Sequence, residues 1–343
     1  MDLKPAEAAK VEDIVRGILA VQARTAKEEN RSLCRATHAK GICARAVFEV
    51  FDVASGRDPT LAARLAKGLY AAPGTYPATV RFSNADSNVN GDWRLDVRAL
   101  SFCVEGAPAG TASTGAPLRR QDYSLQSAPI LPFNDVHAFC VFAKVMGAPS
   151  QTAALNALPF RDQLIFARTM IGVMEQSNQP VRPYQLLRYW SNVPFHHGPD
   201  DIVKFSATPA AINPACALDL KQRNPSVLSD ELRRHLNEDS TMSSFDFSVQ
   251  FLDLCSMTYQ GRRQDADFWI ENAAIEWPET QAPFHAVGRL TLLPRSELSA
   301  EASAALYFDV NGNSTAASTP VGGINRVRWF AEIASRRARM ATP

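Results

Sequence analysis

The alternation of apolar and polar residues changes period twice along the chain. From about Pro5 to Glu29 the apolar residues Val11, Ile14, Val15, Ile18 and Leu19 fall on one helical stripe, which predicts an N-terminal helix. After Gly41 the period shortens. Ala46 to Val53, Thr79 to Ser83 and Val97 to Val104 are rich in β-branched and aromatic residues and read as strands. A Gly/Ala/Pro/Ser run from Gly106 to Pro117 reads as a loop, and Gln121 to Pro132 as strand and turn. The helical period returns from Asp135 to Val145 and from Gln151 to Gln176, the latter weaker at its centre. Pro180 to Pro199 reads as an ordered crossing segment. Strands are expected at Val203 to Ala207, Ser244 to Leu254 and His285 to Leu293, with a helix from Leu228 to Leu236 among them. Gly322-Gly323 opens a last helix over about 324–339.

This order of elements fits an all-β barrel flanked by helices, an α+β chain. No internal repeat or composition break divides it, so one domain over 1–343 is expected, with its barrel at about 44–295. Composition agrees: 46% of the 343 residues are hydrophobic and 21% charged, enough for a sizeable core. The net charge is +1 with no basic block, so no nucleic-acid footprint is expected. No apolar run is long enough for a membrane span, and residues 1–10 lack the apolar core of a secretory signal. Six cysteines, Cys34, Cys43, Cys103, Cys140, Cys216 and Cys255, show no paired spacing and read as reduced thiols of a cytoplasmic protein. A metal-hydrolase reading through His38, His137, His196 and His197 finds no ligand spacing.

Chemistry-bearing runs follow in a fixed order. Arg35-Ala36-Thr37-His38-Ala39-Lys40-Gly41, with Val47-Phe48-Glu49-Val50 behind it, resembles the distal haem segment of the catalase superfamily. Thr79-Val80-Arg81-Phe82-Ser83-Asn84 and Asp96-Val97-Arg98-Ala99-Leu100-Ser101 resemble its next two runs, Ala99 standing for the usual Gly. Gln121 to Phe139 is similar to the segment that carries a distal Asn and a haem-stacking Phe. Arg188-Tyr189-Trp190-Ser191, Val203-Lys204-Phe205-Ser206, Ile275-Glu276-Trp277 and the run from Pro320 to Arg328 resemble the small, catalase-related haem peroxidase branch. The resemblance spans nearly the whole chain and implies a catalase-type antiparallel β-barrel with C-terminal helices, haem b as cofactor and a peroxide or hydroperoxide as substrate. It also implies possible homo-oligomers.

By the same resemblance His38 is the distal acid–base, a task that suits imidazole near neutral pH. Ser83 orients it, and Thr37 replaces an apolar residue of true catalases, as in relatives of the allene-oxide-synthase type. Gln126 stands where true catalases carry Asn, one methylene longer, which disfavours fast catalatic turnover. Phe139 matches the stacking aromatic. Arg35, Arg81 and Arg328 match haem-holding or proximal arginines, whose planar forks suit carboxylates. One feature departs. The Arg-x-x-x-Tyr motif that supplies a phenolate to iron reads here Arg328-Trp329-Phe330-Ala331-Glu332, so Glu332 occupies the ligand position. A one-residue gap would put Ala331 there instead, and no Tyr lies beyond Tyr307 in either case. Three outcomes stay open: haem with Glu332, water or no protein ligand on iron; a pocket that holds another ligand; or an empty pocket, the last two making a catalase-fold protein without haem, degenerate or repurposed for small-molecule binding.

Overall fold

The computed structural model describes residues 3–111, 117–214, 216–237 and 242–341. A 24-residue helix, α1 (Pro5–Glu28), leads into β1 (Gly41–Val50). Helix α2 (Pro59–Leu65) precedes three long strands, β2 (Gly74–Asn84), β3 (Arg98–Thr111) and β4 (Pro117–Gln126). Three helices follow: α3 (Val136–Gly147), α4 (Gln151–Asn156) and α5 (Phe160–Ser177). Short strands β5 (Tyr189–Trp190) and β6 (Phe195–His197) lead to β7 (Asp201–Pro209), α6 (Val227–Asn237) and β8 (Ser244–Phe251). A small hairpin, β9 (Thr258–Tyr259) and β10 (Arg262–Arg263), and helix α7 (Ala266–Glu271) precede β11 (Phe284–Glu297). Helices α8 (Ala300–Ala305) and α9 (Gly323–Ala341) end the described chain.

The strands close on themselves. The order β5-β4-β3-β2-β1-β11-β8-β7 is antiparallel throughout, and β5 pairs with β7 to complete an eight-stranded barrel, with β6 added outside β7. Inward positions line up in rows such as Ile42–Phe82–Leu100–Leu125 and Ala44–Val80–Phe102–Tyr123. Both rows belong to the continuous core, together with Phe48, Phe205, Phe245 and Phe247. Phe102 stacks on Tyr123 at 4.7 Å, Phe247 meets Tyr123 edge-on at 5.0 Å, and the Tyr70 and Tyr123 hydroxyls share a hydrogen bond of 2.7 Å. An eight-stranded barrel is just wide enough for its own side chains to fill, so these aromatics leave the chemistry to the outer wall.

On that wall the strands β1 to β4 present small residues. The outward rows are Gly41–Ser83–Ala99–Gln126, Cys43–Arg81–Ser101–Ser124 and Arg45–Thr79–Cys103–Asp122. Above them lie α1, α3 and α9. Helices α1 and α3 touch through Gly17, where an added Cβ would collide with the Ala143 carbonyl. Helix α9 is anchored at its start by Glu271, whose carboxylate accepts from Gly323 N–H at 2.7 Å and from Arg326 at 3.1 Å. A carboxylate at a helix N-terminus also complements the helix dipole.

Two expectations need correction. The segment from Gln151 to Gln176 is two helices, because Pro159 lacks an N–H and ends the first of them near Ala157. The run from Gly106 to Pro117 is mostly strand: β3 continues to Thr111 past an irregularity between Glu105 and Gly110, and β4 starts at Pro117. The remainder of that expected loop, 112–116, lies outside the described residues. No helix among the described residues is long and apolar enough to cross a membrane.

Candidate functional site

His38 sits where the chain turns from α1 into β1, with a left-handed backbone (φ 57°) that costs a non-glycine residue energy. The turn is held at several points. His38 N–H donates to the Ala85 carbonyl at 3.1 Å, Ala39 N–H to the Asp86 carbonyl at 3.1 Å, and Arg81 Nη2 to the His38 carbonyl at 2.7 Å. Ser83 Oγ lies 3.2 Å from His38 Nδ1 and fixes one side of the ring. Burial, reinforced by Arg81 and more weakly by Arg35, holds the imidazole down at about 4, so it is neutral at pH 7.

Gly41 makes this arrangement possible. A Cβ there would strike the Phe82 carbonyl and sit 2.7 Å from the Arg81 guanidinium carbon. Gly41→Ala is therefore expected to cost about 1–3 kcal/mol, as overpacking does, read from denaturant midpoints, and to displace Arg81 from the His38 carbonyl.

Arg81 and Arg35 stand beside the histidine, and Arg339 stands beside those two. Arg35 lies at the end of the α1–β1 connection and donates to the carbonyls of Leu306 (2.5 Å) and Ser303 (3.4 Å). Burial and the charges of Arg81 and Arg339 bring its guanidinium down to about 9. Arg81 is lowered chiefly by burial, with Arg339 adding to it, and Arg339 by burial and by Arg336. Among the described residues no carboxylate forms an ion pair with any of the three. Grouped cations without a counter-charge store electrostatic repulsion, and an anion placed among them relieves it.

Sequence reasoning found Arg35 and Arg81 but missed Arg339. The signal was present: Arg339 follows Arg328 by eleven residues, three turns of α9, which returns it to nearly the same helix face.

Gln126 occupies the same outward row as Ser83, two strands away with Ala99 between them. At the usual strand spacing that separation is about 10 Å, and Ala99 leaves the intervening space low. Thr37, next to His38, is exposed. Phe139 is on α3, mostly buried, its ring stacked on Phe133 at 4.7 Å and 15°.

On α9 the Arg328 Nε is 3.7 Å from a Glu332 carboxylate oxygen, too far for a hydrogen bond. Arg328 Nε and Nη2 are buried without hydrogen-bond partners, as is Trp329 Nε1. Burial pushes the Glu332 carboxyl up and Asp309 adds to this, while Arg328 opposes it. Yet 44% of the Glu332 side chain remains accessible.

His38, Ser83, Arg81, Arg35 and Arg339 thus form one group on the outer wall. Gln126 shares its strand row, Arg328 and Glu332 lie on the helix above, and Phe139 lies in the helical layer.

No protein-family model matches the sequence, and no curated protein matches it. Solved structures do. The chain is similar to a fungal catalase (14% identity, TM-score 0.66), to catalase A from Saccharomyces cerevisiae (15%, 0.66) and to a bacterial catalase (15%, 0.60). Each similarity covers 93% of this chain but only 62%, 63% and 60% of the respective catalase, so the chain spans less than two thirds of their length. With the closed barrel and its overlying helices, these likenesses establish that the chain has the catalase-type fold.

Proposed function

We propose that the chain is a haem-dependent oxidoreductase of the catalase-related type, acting on hydrogen peroxide or an organic hydroperoxide as a peroxidase rather than a fast catalase. The observation that carries this reading is an imidazole, His38, held by Ser83 and set next to a group of three arginines, Arg81, Arg35 and Arg339, that have no carboxylate partner among the described residues.

The residues present fit haem. Arg35, Arg81 and Arg339 would hold its two propionates, because guanidinium pairs with carboxylates in a planar fork. Ser83 and Ala99 in one outward row, and Cys43, Ser101 and Ser124 in the next, give a low wall of small side chains that a flat ring can approach, with Arg81 rising from it. The unpartnered Arg328 nitrogens suit an anionic neighbour, and Glu332 offers an oxygen donor where a phenolate is usual. Bound haem supplies the electrons that split the peroxide O–O bond.

This chain's own residues manage the proton. In the tautomer that carries its proton on Nδ1, His38 would present the Nε2 lone pair. It takes the hydroperoxide proton and returns it to the departing oxygen, so the leaving group is water or an alcohol. The three arginines do not compete for that proton, since each stays charged near neutral pH. Gln126 presents an amide on a longer arm than Asn, and Thr37 adds a hydroxyl beside the base. Both changes move donors relative to a small peroxide and favour peroxidase turnover over the catalase cycle.

The test is an absorption spectrum of protein expressed with haem precursor, with pyridine haemochromogen quantitation. A stoichiometric Soret band is expected. Glu332→Ala is expected to shift that band or weaken haem retention, and Glu332→Tyr to shift it toward a phenolate-ligated form. A protein that stays colourless and refuses added haemin overturns the proposal. The second reading would then stand, a catalase-fold binding protein without haem, which the missing phenolate and the bulky neighbours Trp329 and Phe330 favour.

A further inference from the structure

Helix α5 is built for a neighbour that the fold does not supply. Of its 18 residues only Thr169 is buried. Phe160, Leu164, Ile171 and Met174 are exposed at 73%, 54%, 51% and 61%, although each is large and apolar. Ordinary surface hydrophobes are scattered singly; these are in register. Phe160, Leu164, Ala167, Ile171, Met174 and Asn178 follow one another at spacings of four, three, four, three and four. That is the repeat of a coiled-coil seam, which keeps one stripe facing a second helix. The opposite face of α5 is already used, with Gly172 close against Pro132 and Phe166 beside the Phe142 ring.

Two more features lie on the exposed stripe. At its C-terminal end Met174, Glu175, Ser177 and Asn178, with the half-exposed Leu95, line an open hollow of about 450 Å³. At its N-terminal end Phe160 projects as a knob. Along one flank run Arg161, Arg168 and Glu175, each directly after a seam residue.

We propose that α5 is the seam of a two-fold homodimer, its two copies antiparallel, with Phe160 of each seated in the Leu95–Met174–Asn178 hollow of the other. The occupant follows from self-complementarity. An isologous interface pairs each patch with itself reversed, and reversal about Arg168–Thr169 sets Phe160 opposite Asn178, Leu164 opposite Met174 and Ala167 opposite Ile171. The same reversal brings Arg161 of one copy to Glu175 of the other, twice, against one like-charge contact of Arg168 with its own copy at the two-fold axis. A parallel pairing sets the arginine-bearing ends side by side and leaves the hollow unfilled. A membrane surface is a poorer occupant, because a helix that lies on lipid carries a strongly basic polar face, and this flank mixes both signs.

The test is sedimentation velocity on the full chain at micromolar concentration. The parent is expected to be a dimer, and Phe160→Asp and Ile171→Asp to be monomers with unchanged circular dichroism, since both side chains are exposed, and with melting that no longer depends on protein concentration. Arg161→Glu and Glu175→Arg are each expected to weaken the dimer about tenfold, because symmetry doubles every pair. The double variant R161E/E175R is expected to restore it, because the pair is only reversed. A monomeric parent overturns the proposal, including one whose stripe binds anionic vesicles instead. So does a dimer that survives both seam substitutions, or a charge reversal that fails to rescue.

Discussion

A His38→Asn variant is expected to bind haem as the parent does and to consume peroxide about 10²- to 10⁴-fold more slowly, the usual contribution of a positioned acid–base group. Asn suits the test because it tolerates the left-handed φ of 57° found at this position, and its amide is no base. In the parent the imidazole stays neutral down to about pH 4, so turnover is expected to be flat from neutrality to near pH 5 and to fall below it. Stability carries a second mark of the same group. The folded-state pKa lies below that of a free histidine, so the unfolded chain takes the proton first as pH falls. The stability present above pH ~6.5 is therefore lost between about 6.5 and 4, by at most about 3 kcal/mol and less where water reaches the ring. Peroxide consumption and urea midpoints across that window check both statements. His38→Asn should flatten the acid slope as well as the activity, and a variant within tenfold of parental turnover removes His38 from the mechanism.

His38, Arg81 and Ser83 were read from the resemblance of their runs to the catalase superfamily. Strand alternation agrees for two of them: Val80 and Phe82 face the packed interior, so Arg81 and Ser83 face outward. Arg339 escaped notice because its relation to Arg35 and Arg81 is made by the path of α9 over the barrel, not by neighbours in sequence. The break at Pro159 showed in the sequence only as a weaker centre of the Gln151–Gln176 segment, because apolar spacing on either side is helical and only the proline interrupts it. The extension of β3 to Thr111 was missed because Gly and Pro signal turns locally, whereas pairing with β4 at Gly110–Leu118 overrides them. The fate of the phenolate position could not be read at all from composition, since Glu332 looks like any surface charge paired at i,i+4. Only the charge of Asp309, brought near by the fold, and the unpartnered Arg328 nitrogens separate it from one.

Asp122→Ala is expected to be the most destabilising single change near the site. Its side chain is fully buried. It accepts from Arg120 Nε at 2.6 Å, from Asp309 N–H at 2.8 Å and from Asn313 Nδ2 at 2.8 Å. Burial pushes its carboxyl up while Arg120 opposes the shift, as a charge held only by its partners should behave. Removing it leaves a partly buried guanidinium and two donors without acceptors, at a cost of about 3–5 kcal/mol; Asp122→Asn, which keeps shape and one acceptor, should cost about 1–3 kcal/mol. The consequence reaches α9. Asp122 ties strand β4 to the segment through Asp309 and Asn313, Arg120 also donates to the Tyr307 carbonyl at 2.6 Å, and the Arg336 guanidinium lies 3.3 Å over the Tyr307 ring. Denaturant unfolding should report the loss, and hydrogen exchange should show residues 307–313 and α9 opening together. If stability falls but α9 exchanges as in the parent, Asp122 serves the barrel alone, and the placement of Arg328, Glu332 and Arg339 rests on the packing of α9 against α1.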